Sequence, residues 1–72
     1  MDQHRKASVE YVRQRGLPVI RVRFERAGPG CYALSPLQDA QARADAVLGG
    51  ARVARLAAHS PSGRAFDFEV LA

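Results

Sequence analysis

Residues 51–71, ARVARLAAHSPSGRAFDFEVL, decide the fold of this chain. The last eight of them, RAFDFEVL, alternate apolar and charged side chains, which is the pattern of a strand with one buried face. The SPSG before them matches a type I turn, with serine first, proline second and glycine last. The stretch therefore predicts two strands, Ala51–His59 and Arg64–Leu71, joined as a hairpin.

The turn also predicts the register of this hairpin. If Gly63 is the left-handed residue of a bulge, Ser60 pairs with Arg64. Counting outward from that pair gives the opposed residues Ala58 and Phe66, Leu56 and Phe68, Ala54 and Val70, and, on the other face, Arg55 and Glu69. Turn chemistry, hydrophobic pattern and charge pairing agree in this register, as they do in a stable element.

A helix precedes the hairpin. Ser35 is suited to cap it, Pro36 to occupy its first position, and Gln38 to complete a capping box. Gly49-Gly50 ends it. Its apolar stripe is rich in alanine, which allows close approach to a sheet, and consists of Leu37, Ala40, Ala44, Val47 and Leu48.

The first half of the chain has weaker patterns. Alternation predicts a strand over Leu17–Arg26, followed by a turn at Ala27–Gly30 and a short return strand at Cys31–Leu34. Asp2–Arg15 is predicted as a helix, because Gly16 suits the left-handed position after a helix end and Leu17 could then contact Val12.

Together these elements predict a single α+β domain over residues 1–72, in the order α-β-β-α-β-β. We expect a small two-layer sandwich in which both helices lie on one face of a four-stranded, mostly antiparallel sheet. With the strands numbered along the chain, the order 2-1-3-4 keeps all neighbours antiparallel. Fold class alone does not carry function.

Composition excludes several classes of protein. A chain of 72 residues buries only about 60% of its unfolded surface, so we expect a stability on the order of 3–5 kcal/mol and little room for a deep cleft. One cysteine cannot form an internal disulfide, the N-terminus has no apolar signal sequence, and no apolar run approaches the roughly 20 residues of a membrane span. The sequence therefore predicts a cytoplasmic protein that does not enter a membrane.

No residue pattern predicts catalysis, a cofactor or a small-molecule substrate. Cys31, His4 and His59 lack the paired spacing of a metal site. Neighbouring arginines would keep Asp67 and Glu69 ionised as structural ion pairs rather than as an acid and a base. His59, Ser60 and Ser62 are explained by the turn in which they lie. We therefore expect a non-enzymatic protein.

The charge distribution carries the functional prediction. The net charge is +4, and residues 1–26 hold all of this excess, with seven basic against three acidic residues, whereas the remainder balances at four against four. This pattern favours binding to the phosphate backbone of nucleic acid. The predicted contact residues are Arg5, Lys6, Arg13, Arg15, Arg21 and Arg23, the last two only if the outer face of their strand is uncovered.

The sequence is also consistent with two alternatives. A solvated basic surface without a ligand explains the same charges equally well, and few aromatic residues outside the core are available to stack on bases. The chain could instead be a protein–protein interaction module or a homo-oligomer that uses a sheet edge or the outer sheet face. An apolar patch on that face, around Val19, Val53, Ala57 and Leu71, would favour this second alternative.

Overall fold

Two β-hairpins and one helix make up the part of the chain that the computed structural model describes, residues 5–25 and 34–71. The elements are β1 (Ala7–Gln14), β2 (Leu17–Phe24), α1 (Pro36–Leu48), β3 (Val53–His59) and β4 (Ala65–Leu71). The four strands form one antiparallel sheet in the order β1-β2-β4-β3. The chain is therefore an α+β fold, as predicted.

The prediction of a helix over Asp2–Arg15 is wrong from Ala7 onward, because these residues form strand β1. A helix would have had only a thin apolar stripe, whereas Val9, Tyr11 and Val12 are β-branched or aromatic residues that favour strands. Asp2 lies outside the described residues. The described residues therefore contain one helix rather than two, and it lies on one face of the sheet.

A two-residue turn joins β1 to β2. Arg15 has a φ of 53° and Gly16 a φ of 79°, so both turn residues are left-handed, as in a type I′ hairpin. Gly16 fits a helix end as well as this turn, because both structures need positive φ at that residue. The register then runs without a shift from Gln14↔Leu17 to Ala7↔Phe24.

The predicted strand over Leu17–Arg26 is confirmed as β2, which ends at Phe24. Its neighbours in the sheet are β1 and β4, not β3, so the predicted strand order was wrong. The missing element was β1, which occupies the edge beside β2. The predicted turn at Ala27–Gly30 and most of the strand at Cys31–Leu34 lie outside the described residues; Leu34 itself lies in a bend and is exposed.

Pro18 explains where the pairing of β2 with β4 begins. The N–H of Phe24 donates to the carbonyl of Arg64, so the even-numbered residues of β2 direct their N–H groups toward β4. Pro18 has no N–H to donate, and the paired residues start at Val19 opposite Glu69. A proline is therefore tolerated in this inner strand because it lies beyond the paired segment.

Helix α1 has the predicted ends. The Ser35 hydroxyl accepts from the Gln38 N–H at 3.2 Å, the Gln38 side chain accepts from the Ser35 N–H at 3.0 Å, and Gly49 is left-handed at a φ of 61°. Ala40 and Ala44 are fully buried and bring the helix close to the sheet. Leu37 and Val47, at the margins of the predicted stripe, are 43% and 49% exposed.

The β3–β4 hairpin confirms most of the predicted register and corrects its turn end. The pairs Ala54↔Val70, Arg55↔Glu69 and Leu56↔Phe68 are as predicted. Nearer the turn, Ala58 lies opposite Asp67 and His59 opposite Phe66, so the predicted pair of Ala58 with Phe66 is wrong.

Two irregularities that compensate each other cause this difference. The loop is one residue longer than predicted, because the Ser60 N–H donates to the Ala65 carbonyl rather than pairing with Arg64. A register shift between Leu56 and Ala58 then places one extra residue in β3, which is a β-bulge. The longer loop moves the register by one and the bulge restores it, so Phe66 and Phe68 still point into the core.

The core lies between α1 and one face of the sheet. Its members alternate along the strands and join the two alanines of the helix: Ile20, Val22, Phe24, Ala40, Ala44, Ala54, Phe66, Phe68 and Val70. Phe24, Phe68, Ile20 and Val22 are its largest fully buried side chains. Among the described residues, no buried side chain is polar or charged.

Candidate nucleic-acid interface

The six basic residues predicted to bind nucleic acid lie on or next to the β1–β2 hairpin, but they do not form one patch. Residues at alternate positions of a strand point to opposite faces. Arg5 and Lys6 precede β1, Arg13 and Arg15 lie at the closed end of the hairpin, and Arg21 and Arg23 lie on the outer face of β2, away from the helix.

Arg21 is held by an acidic partner at the centre of the outer face. Its Nε and Nη2 atoms donate to the two carboxylate oxygens of Asp67 at 2.9 and 3.2 Å. These hydrogen bonds and the charge of Asp67, with a smaller contribution from Glu10 on β1, raise the pKa of Arg21 above its usual value. The guanidinium is therefore permanently charged, but its charge is largely matched within the protein.

Arg5 is similarly engaged, on the helix side of the sheet. Its Nη1 atom donates to the Leu34 carbonyl at 2.7 Å and to Asp39 at 3.3 Å, and its side chain is only 13% exposed. The guanidinium lies 6.0 Å from the centre of the Phe24 ring, and that of Arg43 lies 5.7 Å from the same ring. These contacts, of cation–π type, fasten the start of β1 to the helix.

Lys6 and Arg23 are exposed at the open end of the hairpin. Arg23 lies opposite Ser8 on one side and Ala65 on the other. Arg64 lies beside Arg23 in a shallow depression, but its guanidinium donates to the backbone carbonyls of Phe24 and Glu25. Within residues 5–25 and 34–71, no carboxylate lies within 4.0 Å of the Lys6 or Arg23 side-chain nitrogens.

A different set of residues lies at the closed end of the hairpin. Arg13 and Arg15 are exposed, and Arg13 donates to the carbonyl of Gly16 at 3.2 Å. Tyr11, two residues before Arg13 on the same face, is 53% exposed. Arg52, just before β3, reaches across the sheet so that its Nη1 atom lies 3.5 Å from the Tyr11 hydroxyl. We name Tyr11, Arg13, Arg15 and Arg52 the hairpin-end surface.

The sequence did not identify Arg52 as a member of this surface. It lies among residues 27–72, whose charges balance, and the sequence pattern places it inside the predicted strand Ala51–His59. Only the sheet order places the start of β3 at the same end as the β1–β2 turn. In the described part of the chain, no carboxylate lies within 4.0 Å of the Arg13, Arg15 or Arg52 guanidinium groups.

The outer sheet face, the alternative binding surface, is a mixture of ion pairs and apolar residues. Arg21 pairs with Asp67, and Arg55 with Glu69 at 2.9 Å. Within the apolar patch around Val19, Val53, Ala57 and Leu71, Val53 is 60% exposed, but Val19 is only 5% exposed. This face therefore offers no continuous apolar patch centred on Val19.

The residues considered for chemistry have structural contacts. The Ser60 hydroxyl accepts from the backbone N–H groups of Arg64 and Ala65, at 3.2 and 3.1 Å, and contacts Ser62 at 3.0 Å. The His59 ring stacks on Phe66 at 6.2 Å. His4 and Cys31 lie outside the described residues. Among those described, no group of three or more His, Cys, Asp or Glu side chains is placed to hold a metal ion.

Comparison of the chain with family models, with curated proteins and with solved structures gives no match. In the described ranges, no helix is both long enough and apolar enough to cross a membrane.

Proposed function

We propose that the protein is a non-enzymatic binder of nucleic acid that contacts the phosphate backbone through the hairpin-end surface. The observation that carries this proposal is that Arg13, Arg15 and Arg52 are exposed at the closed end of the hairpin, with Arg52 in contact with the exposed Tyr11. None of the three arginines has a carboxylate partner among the described residues. Guanidinium groups form paired hydrogen bonds with phosphate oxygens. Tyr11 adds a ring on which an unpaired base can stack.

The backbone of Arg15 supports a binding role for this surface. A φ of 53° is unfavourable for arginine, and the first residue of a type I′ turn is usually asparagine, aspartate or glycine. An arginine at this position costs stability relative to those residues. The presence of an arginine here is explained if its charge, at the tip of the hairpin, contributes to binding.

The proposal favours binding over catalysis because the groups capable of chemistry are engaged elsewhere. Asp67 and Glu69 are paired with Arg21 and Arg55, and the Ser60 hydroxyl organises its own turn. We take the compartment to be the cytoplasm, because a single cysteine forms no disulfide within the chain that an oxidising compartment would stabilise. Phosphate contacts do not read bases, so the proposed binding is weakly selective for sequence.

The test is binding of a short labelled DNA, double-stranded and single-stranded, followed by fluorescence anisotropy over a series of salt concentrations. The key variant is Arg13→Ala with Arg15→Ala, at the closed end of the hairpin. Its matched control is Lys6→Ala with Arg23→Ala, which removes the same charge from exposed residues at the open end. We expect the first variant to lower the log–log salt slope by about two, one for each lost phosphate contact, and the control to leave it nearly unchanged.

Two results would contradict the proposal. Equal weakening by both variants would mean that net charge alone determines binding and that the hairpin-end surface has no special role. Absence of binding by the parent protein at about 50 mM salt, where phosphate-driven affinity is strong, would exclude the nucleic-acid function altogether. Arg52→Ala then tests whether the binding surface extends beyond Arg13 and Arg15, because Arg52 reaches the hairpin-end surface from a distant part of the sequence.

A further inference from the structure

The two edges of the sheet differ in how they are protected against pairing with another strand. Strand β3 carries the bulge between Leu56 and Ala58, which disrupts a regular edge. The Gln41 side chain on α1 donates at 3.0 Å to the carbonyl of Ala54, which is also on β3. A helix side chain therefore occupies a backbone group that an added strand would need.

Strand β1 has none of these protections. Its eight residues contain no proline, only Glu10 and Arg13 among them are charged, and its register with β2 has no shift. The Glu25 N–H donates to the Lys6 carbonyl at 3.0 Å, so the even-numbered residues here bond to β2. The odd-numbered residues Ala7, Val9, Tyr11 and Arg13 therefore direct their backbone N–H and C=O groups outward, away from the sheet.

The side chains of the same odd-numbered residues lie on the helix side, where α1 does not cover them fully. The helix packs against β2, β3 and β4. Beyond it, Val9 is 37% and Tyr11 is 53% exposed. The β1 edge thus combines unpaired backbone groups with exposed apolar side chains, which is the combination that edge strands usually avoid.

We propose that two copies of this chain pair antiparallel through their β1 strands, about a two-fold axis at Tyr11, and form one eight-stranded sheet. The strand that pairs with this edge belongs to a second copy of the chain, because the β1 edge is complementary to itself. A two-fold axis perpendicular to the sheet places Tyr11 beside Tyr11 of the second copy, Val9 beside Arg13, and Glu10 beside Val12. No pair in this register opposes two like charges, and both helices lie on the same side of the sheet.

The competing register of similar length is less favourable. Centred on Glu10, it opposes the two Glu10 carboxylates directly, which destabilises a sheet. Arg21, which lies across from Glu10 on β2, offsets this repulsion only in part, because Asp67 already holds its guanidinium. The register centred on Tyr11 avoids the contact by moving Glu10 opposite an apolar residue.

The first experiment measures the mass of the protein by light scattering, without nucleic acid, across a dilution series. We expect twice the 7.8 kDa of the chain at high concentration. Val9→Pro removes one outward N–H from each copy and hence two hydrogen bonds from the dimer, so its dissociation constant should rise by about 30-fold. Val9→Thr, which has the same shape and keeps the N–H, is the matched control and should remain dimeric.

The second experiment tests the register and does not depend on how the proline variant folds. Val9→Lys places a cation opposite Arg13 of the second copy, whereas Val9→Glu places an anion there, with equal loss of apolar surface. We expect the lysine variant to dissociate and the glutamate variant to stay dimeric, with circular dichroism confirming that both are folded. A monomeric parent at a concentration on the order of 100 μM, or equal behaviour of the two folded variants, would overturn the proposal.

This inference is independent of the proposed nucleic-acid function, because the mass is measured without nucleic acid. Its failure would leave the salt-dependent binding test unchanged. If both proposals hold, the two-fold axis places the Tyr11, Arg13 and Arg52 side chains of both copies on one face, between the two helices.

Discussion

Strands β4 and β1 differ in burial, and the two hairpins that contain them differ in the residues that join their strands. In the β3–β4 hairpin, Phe66, Phe68 and Val70 are buried, and a proline–glycine loop closes the strands. In the β1–β2 hairpin, no residue of β1 is fully buried, and an arginine occupies the turn. The comparison indicates that β4, together with the buried face of β2, stabilises the fold, whereas the edge strand β1 is free to present a binding surface.

The largest expected effect separates strands β4 and β1 by their contribution to stability. Phe68→Ala should cost about 3–5 kcal/mol, because a fully buried ring is replaced by a cavity. That is most of the stability on the order of 3–5 kcal/mol expected for a chain of this size. The matched substitution in β1, Tyr11→Ala, removes a ring that is 53% exposed and should cost less than about 1 kcal/mol. Chemical denaturation measures both, and similar costs would mean that β1 is as important to the core as β4.

The same difference in burial explains how much of the fold the sequence could predict. Strand β4 was identified because each core residue alternates with a charged one, and α1 because Ser35, Gln38 and Gly49 mark its ends. Strand β1 was missed because an edge strand that buries little leaves a weak alternation, and Gly16 is equally suited to a helix end and to a type I′ turn. The predicted strand order was wrong as well, because it placed β3 beside β2, whereas β4 lies between them.

The candidate site was predictable only in part, for a related reason. The excess of positive charge in residues 1–26 is a property of the sequence, but which arginines have acidic partners depends on contacts between distant strands. Arg21 meets Asp67 only because β4 lies beside β2, and Arg52 reaches Tyr11 only because β3 starts at the closed end of the first hairpin. Sequence spacing alone contains neither contact.

A second prediction concerns the turn of the β3–β4 hairpin, whose longer loop depends on one side chain. The Ser60 hydroxyl accepts from the N–H groups of Arg64 and Ala65, and no other part of the loop is shown to replace it. Ser60→Ala should therefore cost about 1–2 kcal/mol, measured by denaturation. Ser62→Ala, which removes only a contact between two hydroxyls, is the control and should cost less. An equal cost for the two variants would show that the Ser60 hydroxyl does not organise the loop.

The smallest expected effect has the opposite sign and tests the other hairpin. Arg15→Asn should stabilise the protein by about 0.5–1 kcal/mol, because asparagine tolerates the left-handed conformation that arginine adopts here at a cost. The same substitution removes one of the guanidinium groups of the hairpin-end surface, so nucleic-acid affinity should fall and the log–log salt slope should decrease by about one. Arg13→Asn provides the comparison, since it removes an equal charge from a strand residue that has no positive φ to relieve. A stabilised Arg15→Asn protein that binds as tightly as the parent would leave the strained arginine without a functional explanation. Greater stability together with weaker binding would show that the β1–β2 turn sacrifices stability to place a positive charge at its tip.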